Sequence, residues 1–110
     1  LIIVGKKTFG SYAKELESLA SQVNKDAIIF AGFVADEELP YYYRDANVYT
    51  TATLWEGYDM PSAEAAACGT PTVAFDIGAH PEVITKGKLV KCGDIGAFAK
   101  AVVDILNRKI

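Results

Sequence analysis

Apolar residues in this chain fall in short unbroken runs, separated by longer stretches in which they recur every three or four positions. Residues 1–4 form the first run, stopped by Gly5. A run of that kind reads as a strand covered on both faces. Over 11–24, Tyr12, Leu16, Leu19, Ala20 and Val23 share one helical face, with Lys14, Glu15, Glu17 and Gln22 largely off it. A second buried strand is expected over 27–31, halted by Gly32. Asp36-Glu37-Glu38 before Leu39 reads as the acidic first turn of a short helix, with Pro40 near its start. A third strand, rich in β-branched and aromatic residues, is expected over 47–51. Residues 60–68 read as a compact helix with Asp59 as its cap, Pro61 in its first turn and Gly69 at its end. Strands four and five are expected over 72–75 and 88–91, with one helical turn over 81–84 between them. Asp94 caps a last helix whose inner face is Phe98, Ala99, Val102, Ile105 and Leu106.

Strands alternating with helices imply βαβ crossovers. The expected fold is therefore α/β: a Rossmann-like three-layer αβα domain over residues 1–110, with a mostly parallel sheet of about five strands. No internal repeat, linker or low-complexity tract divides it. A length of 110 residues suits one domain, and an apolar share of 51% suffices for a core. The net charge of −3, without a basic run, speaks against a nucleic acid held by its phosphates. No apolar stretch approaches the ~18–20 residues of a membrane helix. The chain opens directly on strand residues, without a signal-peptide pattern, as if cut from something longer. Cys68 and Cys92, with a single histidine in the chain, make neither a disulfide framework nor a zinc site, and are expected as reduced, buried thiols in a reducing compartment.

Ligands of such sheets bind beyond the carboxyl ends of the strands. The richest segment there runs from Thr51 to Glu64. Glu56 lies in the loop and Glu64 about one turn into the next helix, and Gly57 lets backbone approach a ligand closely. The helix N-terminus suits phosphate, and a carboxylate at Glu64 can accept from the vicinal hydroxyls of a ribose. The plainer reading leaves Glu56 solvated and Glu64 answering the helix dipole. His80 either touches a sugar or phosphate or bonds within its loop. The run Tyr41-Tyr42-Tyr43 is either a stacking platform or, in part, core. Trp55 reads as a lid over the glutamate loop.

Glu56 and Glu64, with seven residues between them inside LWEGYDMPSAEAAACGTPTVAFDIGAHPEV, resemble the E-x7-E signature of retaining glycosyltransferases of the large family 4, which have the GT-B fold. IIVG, IIFAGFV, EELPYYYRDANVY and the GDIGAFAKAV tail extend the likeness over nearly the whole chain, in the order of that family's C-terminal, nucleotide-sugar-binding domain. The resemblance implies a hexosyl transfer from a nucleotide diphosphate sugar, a UDP- or GDP-sugar, with retention and without metal or other cofactor. It puts Glu56 at the transferred sugar as the catalytic position. The backbone amides of Gly57, Tyr58, Asp59 and Met60 would meet the sugar and distal phosphate. Glu64 would bind the ribose, and backbone at Phe33 and Val34 the base. The donor phosphate itself would accept the acceptor's proton. The acceptor is unspecified, and the implied location is cytoplasmic or peripheral at the inner membrane face, with any membrane contact made by parts outside this sequence.

Two departures from the family pattern stand out. Gly-Phe-Gly-Leu is frequent after the first glutamate, whereas this chain has Gly57-Tyr58-Asp59-Met60, which sets a negative charge beside a phosphate site. Family domains also begin one βα unit earlier, with the Arg and Lys that neutralise the diphosphate, and carry an N-terminal acceptor domain. Lys6 or Lys7 either replaces those cations or is a solvated turn. On this reading strands one and three flank a missing strand, and either they close into a flavodoxin-like order 2-1-3-4-5 or another chain fills the gap. The 110 residues alone would be inactive. The competing reading is a stand-alone, non-catalytic Rossmann-like module that binds a nucleotide or a partner.

Overall fold

The computed structural model describes residues 1–5, 10–24, 26–55 and 57–108, with 10–13 described in backbone only. Two units, residues 1–38 and 39–110, are each taken by themselves. The first holds strand β1 (Ile2–Val4), helix α1 (Gly10–Asn24) and strand β2 (Ile29–Gly32). The strands are parallel, with Ile2 opposite Ile29 and Ile3 opposite Phe30, and the register slips before Val4 meets Gly32. The second unit runs α2 (Leu39–Asp45), β3 (Tyr49–Thr51), α3 (Met60–Ala67), β4 (Thr72–Phe75), α4 (His80–Val83), β5 (Gly87–Val90) and α5 (Ile95–Leu106).

The α/β class, the parallel strands and the alternation of elements are as the sequence leads one to expect. Among the described residues the parallel ladders are β1-β2 in the first unit and β3-β4-β5 in the second.

The core lies under β4, whose four residues are all buried. It pairs in parallel with β3 on one side and β5 on the other. Val73 and Phe75 pack with Val90, Ala101 and Ile105, and the partly buried Phe98 ring tilts against Phe75 with centroids 5.2 Å apart. Of the inner face expected for α5, Phe98, Val102 and Ile105 face inward. Ala101 takes the place read for Ala99, and Leu106 is 53% exposed. The stripe follows a spacing of four, which turns those two positions outward.

Other expectations need correction as well. Ile2 and Val4, read as covered on both faces, are 53% and 38% exposed, and Leu19 and Val23 of α1 are exposed too. A two-stranded sheet offers too little apolar surface to bury strands on both sides and a helix as well. Asp36, Glu37 and Glu38 form a turn ahead of α2 rather than its first turn, because the helix starts at Leu39 with Pro40 just inside. Of the three adjacent tyrosines, Tyr43 is buried edge-on to Tyr49, while Tyr41 is exposed with the Arg44 guanidinium 4.8 Å over its ring. Both cysteines are free, but Cys92 is exposed and Cys68 only half-buried. Among the described residues, no helix is long and apolar enough to cross a membrane.

Gly87 opens β5 at φ +129°, and a Cβ there would run into the Thr72 backbone of the neighbouring strand. Close parallel pairing of β4 with β5 therefore depends on the missing side chain. Gly87→Ala is expected to lower stability by about 3 kcal/mol, read as a fall in the urea midpoint. An unchanged midpoint would show that β5 is not held against β4 in this register.

Candidate functional site at the start of helix α3

The segment after β3 leads into α3, with 52–55 and 57–59 described. Asp59 is the N-cap, with β-region φ and ψ of −89° and 93°. Its Oδ1 accepts from the Ser62 amide at 3.1 Å, and its Oδ2 accepts from the Ser62 hydroxyl at 2.7 Å. The helix gains from this because its first amides have no intrahelical acceptor. Pro61 has no N–H to satisfy, which leaves Met60 as the first-turn amide without an intrahelical acceptor. A phosphate reaching α3 would therefore meet the Met60 amide and those of the preceding loop, not a full ring of helix donors.

Asp59 does more than cap. His80 Nε2 lies 3.0 Å from Asp59 Oδ2, and His80 Nδ1 lies 2.6 Å from the Phe75 carbonyl at the end of β4. Asp59 is 4% exposed, and Ser62 and His80 are wholly buried. The histidine thus bonds internally with both ring nitrogens, and of its two readings the internal one is observed. Alongside, the Ala79 amide donates to the Gly57 carbonyl at 3.3 Å. The loop before α3 and the loop after β4 are tied together by side chain and backbone.

Burial of Asp59 works to raise its pKa, but the opposing effects win: hydrogen bonds from the Ser62 hydroxyl, His80 and the Ser62 amide, together with the His80 charge, hold it below the ordinary 3.8. The charge that looked out of place beside a phosphate site is thus turned inward and paired. Nearby, the Tyr43 phenol is pushed up to about 12 by burial and then by the negative charges of Glu64, Asp59 and Cys68.

Of the other residues singled out, Glu64 is half-buried on α3, one turn beyond the cap. Gly57, Tyr58 and Met60 are exposed, and so is Trp55, at 82%. Phe33 is exposed and Val34 half-buried just past Gly32, within the 1–38 unit. Glu56, Lys6 and Lys7 lie outside the described residues. Among the described residues, no group of three or more His, Cys, Asp or Glu side chains is arranged to hold a metal ion. What sequence reading missed is the link between Asp59 and His80. Neither a helical nor a strand period connects positions so far apart, and the only hint was a charge needing a partner and a lone histidine.

Residues 1–108 match the sequence profile of the family described as "Glycosyl transferases group 1". The chain belongs to that family. It is 38% identical over 81 residues to the O-antigen chain mannosyltransferase B of Escherichia coli, covering 73% of this chain and 21% of that protein. To the lipopolysaccharide core biosynthesis mannosyltransferase of Rhizobium meliloti it is 30% identical over 115 residues, covering 96% and 32%. Among solved structures, sucrose-phosphate synthase from Thermosynechococcus elongatus superposes with a TM-score of 0.84 at 32% identity, over 96% of this chain and 29% of that one. The chain thus spans about a fifth to a third of the length of these relatives. The α/β fold of this glycosyl transferase segment is that of the GT-B synthase it superposes on.

A carboxyl whose pKa is depressed in the fold stabilises above its unfolded value, and that stabilisation fades as pH falls through the folded one. Stability is therefore expected to drop as pH is lowered below 3.8, and to drop less steeply in Asp59→Asn. Urea midpoints measured from neutral to strongly acidic pH test this. Parallel profiles for the two proteins would show that Asp59 is not the paired, ionised cap described.

Proposed function

We propose that this chain is the donor-binding part of a retaining glycosyltransferase, corresponding to the C-terminal domain of the family's GT-B enzymes, and that it moves a hexosyl group from a UDP- or GDP-sugar to an acceptor. The observation that carries the reading is the family match over residues 1–108, with Glu64 half-buried just inside a capped helix that starts where the sheet's strands end. A carboxylate there can accept from both ribose hydroxyls, while the backbone over 57–60 is assigned to offer amides to the sugar and distal phosphate. Glu56 is assigned to the transferred sugar, and Phe33 and Val34 to the base. No protein residue is assigned as general base: the leaving diphosphate itself is assigned the acceptor's proton, and no metal is assigned.

Transfer by such an enzyme rests on holding two substrates across a cleft and stabilising the departing diphosphate. The acceptor domain and the diphosphate-neutralising Arg and Lys are assigned to sequence beyond these residues, so the 110 residues alone are expected to bind donor weakly and transfer little or nothing. The cytoplasm or the inner membrane face is the proposed location. The names of the O-antigen and lipopolysaccharide-core relatives put a mannosyl donor first among the probes.

Calorimetry with UDP, GDP, UDP-glucose and GDP-mannose tests the reading. Binding of one nucleotide series is expected, and Glu64→Ala should weaken it at least about tenfold, the scale of losing hydrogen bonds to a charged acceptor. Unchanged nucleotide affinity in Glu64→Ala would remove the ribose role. Absence of any nucleotide binding in the full-length protein would remove the donor-site reading altogether.

A further inference from the structure

The Asp59–His80 pair is chemically unusual for its location. The two ring nitrogens of His80 face two acceptors, the Phe75 carbonyl and the Asp59 carboxylate. The pair thereby joins the cap of α3 to the end of β4. It is also dry, with His80 wholly buried and Asp59 nearly so. An apolar side chain at position 80 would leave the buried Asp59 carboxylate without its partner, so the two residues stand or fall together. What the pair does accomplish is geometric. Through Asp59 it reaches the Ser62 amide and hydroxyl, and through Phe75 it reaches the end of the buried strand β4. The Ala79 amide on the Gly57 carbonyl is a second tie between the same two loops.

We propose that His80 is a positioning residue for the donor site: it pins Asp59, and with it the backbone of residues 57–60, to the end of β4, and it keeps the Asp59 charge from facing the donor's diphosphate. This role rests on the donor-site reading above, because those amides are the ones assigned to the sugar and distal phosphate. A loop that must present unpaired N–H groups cannot hold itself in place with the same groups, so an anchor made by side chains is what the chemistry asks for. The Asp at position 59, a departure from the family's usual Gly-Phe-Gly-Leu, and the His at position 80 are then two halves of one device.

Two substitutions separate the two bonds of the ring. In His80→Gln the side-chain amide reaches the position of Nε2 and keeps the bond to Asp59. In His80→Asn the shorter amide takes the place of Nδ1, keeping the Phe75 bond and losing Asp59. With the full-length protein and whichever of UDP-glucose or GDP-mannose binds, His80→Asn is expected to weaken donor affinity about tenfold and His80→Gln about threefold or less. Amide hydrogen exchange should quicken over 57–63 in the Asn variant while 72–75 stay protected. Equal affinities in the two variants, or exchange that quickens over 57–63 and 72–75 alike, would overturn the role, the latter because it marks general loosening rather than a lost pin. A wild-type protein that binds neither sugar nucleotide would instead overturn the donor-site reading and this role with it. A wild type that binds and an Asn variant that binds equally well would overturn this role alone.

Discussion

Parallel pairing on both sides of β4 is the constraint from which the rest of residues 39–110 follows. A strand hydrogen-bonded to two neighbours and buried at every residue has one permissible register, since a slip of one residue would move Val73 and Phe75 from one face to the other. Phe75 ends that strand against Phe98 and Val90, and its carbonyl receives His80. The position of α5, the narrow approach of β5 at Gly87 and the anchoring of the loop before α3 are all referred to the same four residues.

The start of α3 shows how a local rule and a tertiary contact share one side chain. Asp59 satisfies the helix as any good N-cap does, through Ser62. A capping carboxylate in contact with solvent would be nothing more. Buried as it is, the same carboxylate needs a cationic or proton-bearing partner, because an isolated charge in such surroundings would cost several kcal/mol. His80, at the start of α4 after β4, meets that need. Both oxygens of the Asp59 carboxylate are thus engaged within the protein.

The N-terminal unit makes a contrast. Its strands have the composition of interior strands, yet Ile2 and Ile29 remain exposed, as do Leu19 and Val23 of α1. Composition records what a segment is suited to be buried in. Burial itself depends on how much surface other elements bring, and a pair of strands of three and four residues brings little.

Sequence by itself was enough for the α/β class, the order and type of the elements, the Asp59 and Asp94 caps and membership of the glycosyl transferase family, because the elements and caps are written in neighbouring residues, as hydrophobic period and capping chemistry. It was not enough for the outward turn of Ala99 and Leu106, the exposure of Cys92, or the meeting of Asp59 with His80. Those depend on distances between residues far apart in the chain, and such distances exist only once β3, β4 and β5 have paired and carried their loops to a common end of the sheet.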